Sequence, residues 1–450
     1  MKSSRAHSFG RAESRLSDSL VPDRPFGPIR VVDLELSAPL PHLLSTDSTG
    51  RRHVGAYILV RLHTRPLGVV EVTLDDGLSA TAFATSIWDE LGAKINEHLH
   101  DDALPELSEL PAGGLPMVVS PSCLCERRVL LRKAPSASVV VPTRDRPDAL
   151  ARCLRSLAAL DYPNYEVIVV DGSTTEATVE LIREQFPAFR CVRIRNPGVS
   201  YPRNRGVESA SGVITAFADD DVVADRNWLT DLVGAVYSHE RVACATGLVF
   251  PLELDTPAQV WFEESGAFTE GFARRVVDLR TPPGGNHLLP YATGRVGAGV
   301  NMAWRTSVLR KLGGFDLALD ACGAEDLAAF FDALIADFQI VYQPSAVVFH
   351  EHRREYGALR RQKYRHGLGL GAYLTRCIAT QPARTADFIR RIPKGAIYGF
   401  SAASPRNRRK SKRFPAALTR AERRGVILGP LAYLNGVRTA RRLSMPEGSG

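Results

Sequence analysis

From Ser138 onward, short apolar runs alternate with stretches whose apolar residues recur every three or four positions. That texture predicts strands alternating with helices, and hence a mostly parallel sheet covered on both faces. Strands are predicted at 139–141, 167–170, 191–194, 213–218, 243–249 and 296–302, with two short closing strands at 339–342 and 346–349. Helices are predicted at 148–157 behind Pro147, at 175–186, at 203–209 behind Pro202, and at 228–237, 305–312 and 325–334. Upstream, 57–62 and 69–73 alternate as half-buried strands and 82–100 is helical. A Pro- and Gly-rich link, 105–121, separates the two regions.

Composition adds boundaries. Residues 1–24 are rich in Ser and Arg and lack an apolar core, which excludes a secretory signal and predicts a disordered lead-in over 1–29. A small α/β module of open role over 30–133, an α/β domain over 134–376 and a basic helical tail over 377–450 follow. No run approaches the ~20 consecutive apolar residues that cross a bilayer. The seven cysteines are odd in number and scattered, as in a protein of a reducing cytosol. Cys123 and Cys125 form a C-x-C pair, but no second pair follows at zinc-site spacing.

The net charge of +8 sits mainly in the tail, where Asp387 and Glu422 face fifteen basic residues between Arg390 and Arg442. Mixed with the short apolar clusters 426–428 and 431–434, this charge implies peripheral contact with an anionic membrane, on the inner face of the plasma membrane. A solvated tail is the alternative. Nucleic acid is not expected, because no recognised binding module accompanies the charge.

The first strand–helix turn reads Thr143-Arg144-Asp145-Arg146-Pro147. It lacks the glycines through which a dinucleotide dehydrogenase or a P-loop enzyme brings backbone against phosphate. The strongest chemical signal is Asp219-Asp220-Asp221 at the end of the strand at 213–218. If the strand continues through them, Asp219 and Asp221 project to one side and Asp220 to the other. Two carboxylates at the carboxyl edge of a parallel sheet form a hard oxygen site suited to Mn2+ or Mg2+. Capping of the helix at Trp228 explains one carboxylate at most.

Taken together with Val139-Val140-Val141-Pro142-Thr143, Val169-Val170-Asp171-Gly172-Ser173-Thr174, Arg203-Asn204-Arg205-Gly206, Glu325-Asp326 and His350, these aspartates give the chain a resemblance to family 2 glycosyltransferases over 138–374. The resemblance implies the GT-A nucleotide-diphospho-sugar transferase fold and inverting transfer of a sugar from a nucleoside diphosphate to an acceptor hydroxyl. It implies that Pro142, Thr143, Arg144 and Asp171 line the nucleoside pocket, with Arg203 and Asn204 near the base or donor sugar. Asp219 and Asp221 resemble the metal-binding D-x-D, and Asp220 would face donor sugar or ribose. His350 would complete the metal site, with His352 as the fallback ligand. Asp326 would be the base and Glu325 its orienting neighbour. Asn301 and Trp304 fall in the segment resembling the acceptor side, Trp304 either stacking on a sugar or packing in the core. Arg361 and Arg365, on a helix predicted at 356–374, lie where relatives grip the diphosphate. Gly172 stands where many relatives carry Asp or Asn, so the base is left unassigned.

Three rivals are weighed. A sugar-nucleotide-forming nucleotidyltransferase would want a Gly-rich basic loop after the first strand, which is absent. A zinc hydrolase built on His350, His352 and His366 has no suitably spaced acidic partner. An inactive sugar- or lipid-binding scaffold fits poorly with a full set of acids.

Overall fold

The computed structural model describes residues 26–116, 120–195, 198–266, 268, 270–281, 288–401 and 404–443; apart from its last four residues, the lead-in expected at 1–29 lies outside them. The N-terminal unit is a three-stranded sheet of β1 (Ile29–Glu35), β2 (Gly55–Leu62) and β3 (Arg65–Thr73). β1 runs parallel to β2, and β3 returns antiparallel through a two-residue turn. Helix α1 (Ala80–Asp101) starts at Ser79, whose hydroxyl accepts the Ala82 N–H at 3.3 Å. Its buried residues Phe83, Ile87, Leu91 and Ile95 recur at helical spacing and pack with Ile58, Val60 and Val70.

The other face of this small sheet is not solvated. Tyr57 stacks on Phe250 at 5.1 Å, and with Leu59 it joins Leu248, Leu254 and Val347 of the following domain. All eight residues of β2 are therefore buried, which is why the strand is apolar on both faces. Helix α2 (Ser122–Arg132) leads into the main sheet.

That sheet has nine strands. Its parallel half contains β4 (Ala137–Thr143), β5 (Tyr165–Asp171), β6 (Arg190–Arg193) and β7 (Ile214–Ala218), with β4 between β5 and β7. They are joined by α3 (Pro147–Ala158), α4 (Ala177–Gln185) and α5 (Ser200–Ser209). After β8 (Val222–Ala224) and α6 (Trp228–Tyr237), the sheet becomes mixed. It gains β9 (Val242–Pro251), β10 (Arg275–Val277), β11 (Asn301–Arg305) and β12 (Gln339–His350), with α7 (Pro257–Glu264), α8 (Thr306–Lys311) and α9 (Glu325–Ile335) between them. The strand order is β10-β12-β9-β11-β7-β4-β5-β6, with β8 paired to β12. This is the α/β architecture that the alternation of strands and helices predicted, parallel in one half and mixed in the other.

Three expected strands change. The run 296–302 is strand only from Asn301, because Gly297 at φ 137° and the turn before it break the extension. The two closing strands are one, β12, with an irregularity in register between Gln343 and Val347.

The basic C-terminal stretch folds. Helices α10 (Tyr356–Thr380), α11 (Thr385–Phe400), α12 (Pro405–Arg408) and α13 (Ala416–Leu443) follow β12. α10 and α13 run parallel in backbone contact through Gly367 and Gly371 on one and Gly425 and Gly429 on the other. A Cβ at Gly371 would lie 2.3 Å from the Val426 carbonyl oxygen, and one at Gly425 2.2 Å from that of Tyr364. Glycines four apart make this close approach feasible, as in other small-residue helix pairs.

Candidate active site

The carboxyl ends of β4, β5 and β7 meet the start of α9 and the end of β12. β7 ends at Ala218, so Asp219, Asp220 and Asp221 lie in the turn before β8. Strand alternation therefore does not govern their directions. Asp220 and Asp221 are buried and converge on Arg146, which donates to Asp220 at 2.6 Å and to Asp221 at 3.1 Å. Asp219, about a third exposed at 37% of its side chain, turns the other way, to Arg203 at 2.9 Å. The expected pairing of Asp219 with Asp221 against Asp220 is corrected by the turn.

Arg203, from α5, is the hinge of the site. It is buried, bonds Asp219 and ion-pairs with the buried Glu325. Its guanidinium also lies over the Phe315 ring at 5.9 Å. Burial disfavours its charge, but Glu325, Asp219 and Asp326 outweigh that and raise its pKa. Burial lifts Glu325 to about 7, against the pull of Arg203. Burial lifts Asp220 to about 7 as well, against Arg146 and with Asp221 adding to it.

Glu325 and Asp326 open α9 behind Ala324, which takes the left-handed conformation at φ 69°. Asp326 is half-buried. It accepts the Gly299 N–H at 2.7 Å on one oxygen and the Leu327 N–H at 2.8 Å on the other. Gly299 is pinched between the two charged groups: a Cβ there would lie 2.7 Å from Arg203 Nη1 and 2.9 Å from Asp326 Cβ. Any side chain at 299 would push the acid off its amide.

His350 ends β12 with Nε2 3.5 Å from Asp221 Oδ1, and Nδ1 2.8 Å from His352 Nδ1. Burial lowers its pKa to about 4, leaving the ring neutral at pH 7. Asp221 feels burial first, but His350, Arg146 and Arg353 outweigh it and hold its carboxyl below the ordinary value. With His350 neutral, the arginines carry that effect at pH 7. His352 points to Glu263 at 2.6 Å, away from the aspartates.

On the β4–β5 side, Thr143 donates to Asp220 at 2.8 Å, and Pro142 is half-buried beside it. Arg144 is exposed and pairs with its neighbour Asp145; Arg146, two residues on, is the arginine of this turn that reaches the acids. Asp171 is fully buried. One oxygen accepts the Ser173 N–H at 2.9 Å, and the other lies 3.2 Å from Arg193 Nε but has no hydrogen bond.

Several expected contacts are internal. Trp304 is fully buried, stacked on Phe330 at 5.8 Å with its N–H on Met302 sulfur, so no face is offered to a sugar. Asn301 is also buried, accepting from Trp228 Nε1 and donating to the Leu248 and Ala346 carbonyls. Asn204 clamps the Phe315 backbone through both its N–H and its carbonyl. These three are corrected to packing and pinning roles by their burial or backbone bonds. Arg361 and Arg365 are exposed on α10, with Arg361 lying back toward Gly357.

Sequence reasoning passed over Arg146, Arg193 and Arg353. Their signal was the excess of buried acids, each of which demands a cation.

Residues 138–291 match the model of the family described as glycosyl transferase family 2. The O-antigen biosynthesis protein RfbC of Myxococcus xanthus is 31% identical over 215 residues, 46% of this chain and 17% of that protein. A pre-mycofactocin glycosyltransferase of Mycobacterium tuberculosis is 26% identical over 223 residues, 48% of this chain and 43% of that protein. The chain spans less than half the length of either relative. Among solved structures, a mannosyltransferase of Pyrobaculum calidifontis in complex with GDP-Man and Mn2+ is 16% identical, with a TM-score of 0.39 over 72% of this chain and 85% of that one. The matched stretch contains the aspartate turn, Arg146, Asp171 and Arg203, and over those residues the chain is similar to glycosyl transferase family 2.

Proposed function

We propose that the chain is an inverting, metal-dependent glycosyltransferase that moves a sugar from a nucleoside-diphosphate donor to an acceptor hydroxyl of a glycan or lipid-linked precursor. The observation that carries this reading is Arg203. One buried guanidinium joins Asp219, at the end of β7, to Glu325, beside Asp326. The leaving-group side and the base side are then one side chain apart.

Asp221 and His350 would hold Mn2+ or Mg2+, and Asp219, which bonds Arg203 on the other side of the turn, would have to leave that arginine to join them. The donor set suits such an ion: Asp221 Oδ1 and His350 Nε2 are 3.5 Å apart, and the imidazole is neutral at pH 7. When bound, the ion supplies neutralisation of the charge that grows on a departing diphosphate. The remaining work falls to the chain. Asp171, fully buried beside Arg193, would shape the nucleoside pocket from behind by holding the Ser173 N–H. Asp326, steadied by two backbone amides, takes the acceptor proton as its oxygen attacks the anomeric carbon opposite the diphosphate. Glu325 and Arg203 keep that carboxylate in register.

We place the catalytic domain at 134–376, between a module at 30–133 and the tail at 377–450. No described helix is long and apolar enough to cross a membrane. Contact with an anionic membrane surface is supported instead by the tail. Ile427, Leu431 and Leu434 are exposed along one stripe of α13, and Ile389, Ile392 and Ile397 are exposed on α11, among many arginines. The reading as a transferase is tested by donor turnover with Mn2+ in wild type, Asp221→Ala and Asp326→Asn; equal turnover in all three refutes it.

A further inference from the structure

Away from the active site, four buried side chains from three separate elements converge in the N-terminal unit: His63, His98, Asp102 and Cys123. His63 sits in the turn between β2 and β3. His98 and Asp102 are four residues apart at the end of α1, and Cys123 opens α2. Their ligand atoms all lie within 4.8 Å of one another. His63 Nδ1 is 2.8 Å from Asp102 Oδ2 and 3.1 Å from His98 Nε2. The same Asp102 oxygen is 3.2 Å from His98 Nε2 and 3.0 Å from Cys123 Sγ.

Hydrogen bonding alone serves this set poorly. Three groups aim at one carboxylate oxygen, and two ring nitrogens face each other across it. If both imidazoles donate to Asp102, their protons meet. A shared cation removes the conflict: ligands about 2.1 Å from a tetrahedral centre stand about 3.4 Å apart, close to the separations here.

The turn that presents His63 is itself costly. His63 and Thr64 both lie in the left-handed region, at φ 53° and 68°, in a two-residue hairpin that favours Asn-Gly. A β-branched residue there is strained. Glu35 holds the strain by accepting both turn N–H groups, at 3.0 and 2.8 Å.

We propose that His63, His98, Asp102 and Cys123 form a structural zinc site. One thiolate, two imidazoles and one carboxylate suit Zn2+; Mg2+ and Ca2+ take oxygen donors. Binding releases the Cys123 thiol proton to solvent. Four protein ligands leave no position for substrate, so the site is structural. Asp102 Oδ1 accepts the Cys123 N–H at 2.8 Å and fixes the orientation of both ligands. The ion ties the hairpin turn and α1 to α2. From α2, Arg127 reaches Thr64 at 2.6 Å and both oxygens of Asp231, in α6, at 3.0 Å. The zinc therefore braces the joint between the N-terminal unit and the glycosyltransferase domain.

The test uses the full chain, purified without chelator. Elemental analysis is expected to find about one zinc per chain, falling about tenfold or more in His98→Ala. Replacement by Co2+ is expected to give the absorption of a tetrahedral cobalt–thiolate centre, absent in Cys123→Ser. Asp219→Asn combined with Asp221→Asn is expected to keep that absorption, which separates this site from metal uptake at the aspartates. Wild-type protein that retains no zinc and shows no thiolate band on Co2+ titration overturns the proposal, even where a variant fails to fold. So does a band that survives Cys123→Ser.

Discussion

Replacing Arg203 by Met removes one charge from between Glu325 and Asp219 while keeping an apolar stem over Phe315. Breaking a buried ion pair by deleting one partner costs about 3–5 kcal/mol, because the other charge is left buried and uncompensated. The pH dependence identifies the cause. Glu325 is raised from 4.5 to about 7 by burial, so the folded state holds its proton more tightly than the unfolded chain does. Its contribution is present in full below the unfolded value and is lost as pH rises through the folded one. Without Arg203 the folded pKa moves higher still, so the loss continues above pH 7. Urea unfolding of wild type, Arg203→Met, Glu325→Gln and the double variant, at pH 5 and pH 9, isolates the pair from other titrations. The coupling between the two residues is expected to be large at pH 9 and small at pH 5. Equal coupling at both values would refute the assignment.

Gly371→Val places a side chain against the Val426 carbonyl and is expected to cost about 1–3 kcal/mol, with faster hydrogen exchange across α13; unchanged exchange would contradict the backbone packing. Trp304→Ala should lose about 3–5 kcal/mol of stability, whereas Trp304→Phe should retain acceptor KM, the opposite of what a sugar-stacking residue would do. The chain should co-sediment with anionic vesicles at low salt and be released at high salt, and Ile427→Ser with Leu431→Ser should weaken this; no binding at low salt would exclude membrane contact.

The alternation of strands and helices was legible because a parallel sheet leaves both periods in the sequence, and α6 matches its expected span at both ends. Helix α7 was missed although its start carries a capping signal: Thr256 N–H donates to Gln259 Oε1 at 3.0 Å, and Pro257 sits at its first position. β1 was missed because its stability is tertiary; the tail was expected to be helical, but how α13 docks on α10 was not legible. The glycines that dock α13 on α10 lower helix propensity, so their packing role is invisible in one dimension. At the site, the acids were found and their geometry was not. The strand ends at Ala218, as expected, but the chain turns there instead of continuing extended, so strand alternation does not set the directions of the three carboxylates. Trp304 and Asn301 were misread because glycines near them suggested an open surface, whereas β11 is a central strand of the sheet. The zinc ligands could not be found by spacing, since they come from a turn and two helices.

The central claim is that the aspartate turn and Asp326 serve opposite faces of one sugar. The direct test is single-turnover transfer from a panel of nucleoside-diphosphate sugars with Mn2+, comparing wild type with Asp326→Asn and following the anomeric configuration of the product. Loss of a general base is expected to slow transfer about 10²–10⁴-fold with donor binding preserved, and the wild-type product should have inverted configuration. Transfer by Asp326→Asn at the wild-type rate, or a product of retained configuration, would contradict the account.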